Sequence, residues 1–542
     1  MPRGAALILL LFAAGAQAAN FDRYFDAHFR FHPTEATSVG FHEYDGKLED
    51  FSRAGVTAEV ASLKGFLNEF EALPADADRD LVIASIRSRL FELEERRTWE
   101  TNPDRYSSGL TNAAFVIMSR RFAPPAERLK SLIARERQMP AALQAARVNL
   151  KNPPRIYTEI AIEQLPGIIS FFEKDVPAAF KGAETADFRS ANRVVIAALT
   201  DYQTWLKTKL LSVSNGDFRL GPELYRKKLL YDEMVDTPLN RLLEVGYQDL
   251  RRNQEAFRAT AAKIDAQRPA MQVLGDASRE HPAPTALLQS FRDVLGGLRD
   301  FITQHGIVTI PSTVPPILEE TPPFMRALTT ASMDTPGPYE KVAKEGFFNV
   351  TLPEANWPEV RVAEHMEGFS RGTIISTAIH EAYPGHYVQF LWLQQVQSKV
   401  RKLIQVSSNS EGWAHYCEQM MLDEGYGNGD LKLRLGQLQD ALLRDARYIV
   451  GIETHTGKMT YEQGIEFFVK EGYQTRANAE RETKRGTSDP TYLVYTLGKL
   501  EILRLREDYK KARGAQFSLK DFHDKFLKQG APPLSIVRKA ML

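Results

Sequence analysis

Two short stretches carry the residue types best suited to chemistry: Ile379-His380-Glu381-Ala382-Tyr383-Pro384-Gly385-His386-Tyr387 and, further along, Ser410-Glu411-Gly412-Trp413-Ala414-His415-Tyr416-Cys417-Glu418. A catalytic zinc takes three protein ligands from His, Asp or Glu and keeps a fourth position for water. His380, His386 and Glu411 would supply such a set for one Zn2+ ion, a metal that two imidazoles and a carboxylate suit. Glu381, joined directly to one of these histidines, would stand beside the metal water and could take its proton, as the Glu of H-E-x-x-H does.

The spacing departs from that motif. In H-E-x-x-H the histidines are four apart and share a helix face, whereas His380 and His386 would lie about 120° apart on a regular helix. Pro384, however, lacks the N–H that would bond the His380 carbonyl and crowds that carbonyl, so the helix should kink or loop out there. Gly385 adds the backbone freedom to complete the bend. The spacing therefore predicts a helix over 373–382, a kink, and a second helix over 387–396, with both imidazoles brought back to one point. Glu411, His415 and Glu418 recur at i, i+4 and i+7, which places them on one face of a further helix. His415 and Glu418 suit the orienting of a ligand imidazole or the lining of a cleft, and His415 is the rival to Glu411 as third ligand. Ser408-Asn409-Ser410-Glu411 also matches the S-x-x-E capping box, in which Glu411 would only return a hydrogen bond to the helix cap.

The segments HEAYPGHYVQ, EGWAHYCEQMM and DPTYLVYTLGKLEILRLREDY resemble the hallmark blocks of the bacterial domain of unknown function 885 family, and the N-terminal FHPTEATSVGFHEYDGKLED resembles that family's opening block. The likeness runs over nearly the whole mature chain. It implies a mainly α, large multi-helix fold like that of the gluzincin-type zinc metallopeptidases. It further implies His380, His386 and Glu411 as ligands and Glu381 as base.

The elements that must position these residues are mostly helices. Residues 80–99 carry Leu81, Ile83, Ile86, Leu90 and Leu93 as an apolar stripe, and residues 189–206 repeat the device with Val195, Leu199, Tyr202 and Leu206. His28, His32 and His42 lack partners at ligand spacing and read as structural. Between 265 and 353 prolines gather, which breaks helices. Two runs there, 306–310 and 347–352, have β composition and are expected to pair into a small sheet beside the zinc helix. This divides the chain into a leader (1–18), an N-terminal helical region (19–264), a Pro-rich connection with short strands (265–353) and a C-terminal helical catalytic region (354–542). The two helical regions are read as one continuous catalytic domain.

Further candidates surround the centre. Phe348 and Asn349 lie on a strand that could hold a substrate backbone by edge pairing. Asp489 suits an N-cap and Pro490 the first helical position, so a helix is expected to begin there with Tyr492 and Tyr495 on one face. Tyr495, with Tyr492 as second choice, is the candidate donor to an oxyanion. His455 is a further candidate for that role. Arg476, Arg481 and Arg485 belong to the charged run 474–485; they read as a solvated helix face, or one of them could anchor a substrate carboxylate and so favour carboxypeptidase action.

Residues 1–18 read as a secretory signal peptide: Arg3, an apolar run over 5–16, and Ala16-Gln17-Ala18 as cleavage site. The run is too short to span a bilayer. No cysteine follows it, which argues against a lipid anchor, and the single cysteine, Cys417, forms no internal disulfide and reads as buried filler. Lys plus Arg equals Asp plus Glu at 69 each, so nothing points to nucleic acid or to a membrane surface. The expected protein is an exported zinc-dependent peptidase acting on peptides or small proteins. The alternatives are a metal-dependent hydrolase of a non-peptide amide or ester, and a non-catalytic helical binding protein with a structural metal.

Overall fold

The apolar stripes fold as helices with their marked residues turned inward: Leu81, Ile83, Ile86 and Leu90 in Ala77–Leu90, and Val195, Leu199 and Tyr202 in Ala186–Trp205, are all buried. The computed structural model describes residues 21–322, 325–326 and 329–542. It is mainly α-helical with one small sheet. The expected leader, 1–18, lies outside the described residues.

The chain forms two compact units, 1–217 with 336–344, and 218–335 with 345–542. In the first, the N-terminal histidines each meet a carboxylate: His28 with Glu35 at 3.1 Å, His32 with Glu59 at 2.8 Å, and His42 with both Asp45 and Glu340 at 3.1 and 2.9 Å.

The second unit holds the candidate site. Its division from the first falls after Asp217, not at the expected 264/265 boundary. The reason is helix α1 (Leu239–Ile264), which buries Leu242, Leu250 and Phe257 in one apolar cluster with Leu435, Leu442 and Ile449 of the long helix Leu431–His455. Nor is 265–353 merely a connection, since it contains Ala270–Arg279 and α2 (Leu287–His305), whose Leu287, Phe291, Leu298 and Ile302 enter the core around the site.

The sheet has three strands, β1 (Ile317–Glu320), β2 (Ala331–Asp334) and β3 (Phe347–Val350), in the order β1-β3-β2, with β1 parallel and β2 antiparallel to β3. Residues 347–350 are thus a strand as expected, but 306–310 are not its partner. Gly306, at φ 60°, ends α2 in the left-handed region. The chain beyond it is then held by side chains of the helix Leu519–Leu527. His523 Nδ1–H donates to the Ile307 carbonyl at 2.7 Å, and the Thr309 N–H donates to Asp524 at 2.8 Å. Backbone groups satisfied by side chains do not enter a ladder.

The remaining elements that bear on the site are α3 (Arg371–Glu381), α4 (His386–Leu393), α5 (Ser407–Asp423), α6 (Leu431–His455), α7 (Arg476–Ser488), α8 (Val494–Arg513) and α9 (Leu519–Leu527). Helices α3, α5, α6 and α8 pack on one another. Cys417 is buried in the same apolar core as Ile375, Ile379 and Trp413.

Candidate metal centre

Helix α3 starts at Ser370, whose hydroxyl accepts from the Thr373 N–H at 3.2 Å, and ends at Glu381. Its buried face carries Ile375, Ala378 and Ile379. The break falls where Pro384 removes a donor. The Gly385 N–H turns back to the Ile379 carbonyl at 3.0 Å, the Tyr383–Pro384 peptide is cis, and α4 begins at His386. A Cβ at Gly385 would fall on the His380 carbonyl oxygen, so the close approach that brings the two histidines together requires glycine.

Helix α5 supplies the distant carboxylate. Its N-cap is Val406 with no side-chain cap, and Ser408 already lies inside the helix. The capping-box reading of Glu411 is therefore excluded. Two contacts set the position of α5. Trp413 Nε1–H donates to the Pro384 carbonyl at 3.0 Å, tying α5 to the break in the histidine helix. Gly412 and Gly498 let α5 and α8 touch backbone to backbone, since a Cβ on Gly498 would overlap the Ser408 carbonyl oxygen.

The outcome is convergence. Glu411 Oε2 lies 3.4 Å from His380 Nε2 and 3.4 Å from His386 Nε2. The three ligand atoms are all within 4.8 Å of one another. Two ligands about 2.0–2.1 Å from a common ion at a tetrahedral angle stand roughly 3.3–3.4 Å apart, which the two separations from Glu411 match. Glu411 Oε2 is buried and has no hydrogen-bond partner among the described residues. Burial pushes the Glu411 carboxyl up, but His386 and His380 more than reverse this and hold it well below the usual carboxylate range. Burial likewise pushes His380 down, and the neighbouring Glu411 and Glu418 carboxylates overcome that to raise it to about 9.

Glu418 is wholly buried and accepts three charged or polar partners: His380 Nδ1 at 2.7 Å, His415 Nδ1 at 3.1 Å and Arg444 at 2.8 Å. Its hold on His380 Nδ1 makes that nitrogen the protonated one and leaves Nε2 for an ion. His415 turns to Glu418 and lies outside the cluster that could hold an ion, which comprises His380, His386 and Glu411. Burial, then the Lys499 charge, push His415 down to about 3, so it is neutral. Glu381, the last residue of α3, is 9% exposed, and its carboxylate has no hydrogen-bond or ion-pair partner among the described residues.

The tyrosines arrive by another route than the sequence suggested. Helix α8 begins at Val494, not at Pro490, and Asp489 instead ends α7, its N–H bonding the Arg485 carbonyl at 3.1 Å. Tyr492 lies in the turn and Tyr495 in the first turn of α8, so they share no helix face. Their rings meet instead at Arg447, whose guanidinium carbon is 5.4 Å from the Tyr492 centroid and 5.2 Å from that of Tyr495. Burial and the Glu411 charge push the Tyr495 phenol up to about 12, so it is protonated.

Five other candidates are placed as follows. Phe348 and Asn349 are buried on β3, the central strand, whose two edges are both paired, so β3 has no edge to offer a substrate; β2 is the outer strand that lies against α3. His455 is buried near Tyr225 and Phe218 with Nε2–H donating to the Gly486 carbonyl at 2.8 Å. It sits about 16 Å along α6 from Arg444, given 1.5 Å per residue, and serves packing. Arg476 is half exposed and held by Glu462, Glu466 and Glu480, a surface network. Arg481 lies inward, near Arg447, Glu482 and Arg485. Arg444 and Arg447 were not singled out in the sequence; their only signal is their spacing on one side of a long helix.

Fold and cluster together define a mainly helical protein whose second unit gathers two imidazoles and a carboxylate in the geometry of a three-ligand metal site. The chain belongs to the family described as bacterial protein of unknown function (DUF885), which it matches over residues 33–541. It is similar to the solved structure of a protein from Shewanella oneidensis described as "a putative lipoprotein of unknown function", with 28% identity and a TM-score of 0.79 over 96% of this chain and 98% of that one. It also shares its fold with a protein from Colwellia psychrerythraea described as "the putative lipoprotein", at 18% identity and a TM-score of 0.81 over 98% of each chain. No curated protein matches the chain.

Proposed function

We propose that the protein is an exported, zinc-dependent peptidase. The observation that carries this reading is the pair of 3.4 Å separations from Glu411 to the two imidazoles, with His415 drawn off to Glu418, so that three side chains converge and not four. A structural zinc is generally closed by four protein ligands. A zinc ion held there would lower the pKa of a water and polarise the scissile carbonyl. Glu381 accepts the proton of the attacking water and returns it to the leaving amine nitrogen, so one carboxylate serves as base and then acid. Tyr495, its phenol protonated, donates to the developing oxyanion. Glu418, backed by Arg444 and His415, keeps His380 in the ligating tautomer.

Export is supported by the signal-like segment 1–18 and by relatives described as lipoproteins. No helix of the described residues is long and apolar enough to cross a membrane.

The test is metal analysis of the purified protein together with digestion of a peptide library. One zinc per chain and cleavage are expected. Glu381→Gln should keep the metal and abolish cleavage, and Glu411→Gln should lose both. Full activity in Glu381→Gln would remove Glu381 from the base role, and metal-free active protein would end the reading.

A further inference from the structure

Three guanidinium groups share one corner beside the candidate metal centre. Arg447 on α6 donates Nε–H and Nη2–H to the two oxygens of Glu482 at 2.6 and 2.9 Å, which occupies that carboxylate bidentately. Arg481 on α7 donates one N–H to the Asn478 side-chain oxygen at 2.6 Å, a neutral partner. Arg485, one turn on, has Asp489 as its carboxylate neighbour at 3.7 Å, beyond hydrogen-bond length. Asp489 is moreover a weak counter-ion, since burial pushes its carboxyl up in spite of Arg485. Three cations thus face one committed carboxylate and one distant one. Placing unmatched guanidinium groups together in a partly buried corner is costly unless an anion completes the set.

The corner is also shaped for a particular anion. The Arg485 guanidinium carbon lies 5.3 Å from the Tyr492 ring centroid, and Arg447 lies on the same ring at 5.4 Å. A guanidinium backed by an aromatic face keeps its N–H edge for a planar, two-oxygen acceptor, which a carboxylate is. The Tyr492 hydroxyl is 2% exposed at the residue level and has no hydrogen-bond partner among the described residues, so a further buried donor stands in the same place. Tyr495 connects the corner to the centre: its ring is 5.2 Å from Arg447, and its phenol lies in the field of Glu411. A group bound at the arginines would therefore lie on the side of the centre that Tyr495 occupies.

We propose that Arg485, with Arg481 beside it, seats the free C-terminal carboxylate of a peptide, so that the protein removes residues from the C-terminal end of its substrate. This rests on the peptidase reading above for the cleavage, but not for the carboxylate seat. Arg476, bound to three surface glutamates, takes no part in it.

The seat is tested by binding, with the zinc-loaded Glu381→Gln chain and a randomised N-acetylated hexapeptide library prepared both as free acids and as C-terminal amides. The free acids should bind at least tenfold more tightly. Arg485→Met added to that chain should reduce the acids to the level of the amides and leave the amides unchanged, Arg485→Lys should restore part of the preference, and Arg476→Met should leave it intact. Circular dichroism and zinc content establish that each variant is folded. Equal binding of acids and amides, binding of neither, or a preference that survives Arg485→Met together with Arg481→Met would overturn the proposal. Digestion by the unmutated chain separates the two ideas. If both libraries stay uncut while the acid preference depends on Arg485, the carboxylate seat stands and the peptidase reading falls. If acids and amides bind alike and are both cut internally, the seat falls and the peptidase reading stands.

Discussion

Glu418→Gln tests whether the buried layer behind the histidines governs the metal centre or merely fills space. Glu418 is fully buried and joins His380, His415 and Arg444 at 2.7, 3.1 and 2.8 Å. A glutamine there keeps one acceptor but turns a donor toward groups that are themselves donors, and it removes the charge opposite Arg444. Losing the partner that orients a ligating imidazole typically weakens metal binding about 10–100-fold, which is about 1.4–2.7 kcal/mol. Breaking one side of a buried ion pair costs about 3–5 kcal/mol of stability. The zinc dissociation constant, measured by competition with a chromophoric chelator, should therefore rise at least tenfold, and the metal-free protein should unfold at lower denaturant. Glu418→Asp, which keeps the charge but shortens the reach, should fall between. A variant that is destabilised yet binds zinc within about threefold of the unmutated chain, well short of the shift expected for a group that orients a ligand, would refute the orienting role and leave Glu418 as a structural counter-ion to Arg444.

Three further outcomes follow from the geometry. Gly498→Ala drives a methyl into the Ser408 carbonyl and parts α5 from α8; a loss of about 1–3 kcal/mol is expected, with reduced zinc stoichiometry because Glu411 rides on α5. Glu136, in the first unit, is buried with neither carboxylate oxygen hydrogen-bonded among the described residues, and burial pushes it from 4.5 up to about 8. Its folded-state pKa is raised, so stability present below 4.5 is lost as pH rises toward 8; the unfolding free energy of Glu136→Met relative to the unmutated chain should grow by about 3 kcal/mol between pH 4.5 and 7, and a pH-independent difference would contradict this. His523 is buried between the Ile307 carbonyl and the Tyr416 hydroxyl, and burial pushes it from 6.5 down to about 4. Its folded-state pKa is depressed, so stability present above 6.5 is lost as pH falls toward 4, by about 3 kcal/mol; urea melts should show that His523→Gln flattens the acid limb.

Much of the centre is legible in the sequence because its parts are local. Pro384 removes a helix hydrogen bond and crowds the preceding turn, Gly385 follows it at once, and the residues around them are apolar at helical spacing, so a bend between His380 and His386 is expected without tertiary information. The same holds for Glu411, His415 and Glu418 on one face, since helical periodicity alone puts them there. The α class follows from the stripes at 80–99 and 189–206 in the same way.

What periodicity cannot supply is the meeting of segments distant in the chain. Whether Glu411 or His415 faces the histidines depends on how α5 is turned, and that is settled by Trp413 reaching the Pro384 carbonyl and by Gly412 lying on Gly498. Strand pairing is equally non-local: 347–350 read correctly as a strand, but its partners are β1 and β2, because 306–310 had its backbone groups taken by His523 and Asp524, over two hundred residues on. Asp489 and Pro490 looked like a helix start, yet the preceding helix runs into Asp489 and the next waits until Val494. The arginine corner was legible only in part: the run 474–485 offered Arg481 and Arg485 as carboxylate anchors, but not their meeting with Arg447 and Tyr492. Arg447, Arg481, Arg485 and Tyr492 belong to separate helices and a turn, and only packing of those elements brings their charges close enough to demand a partner.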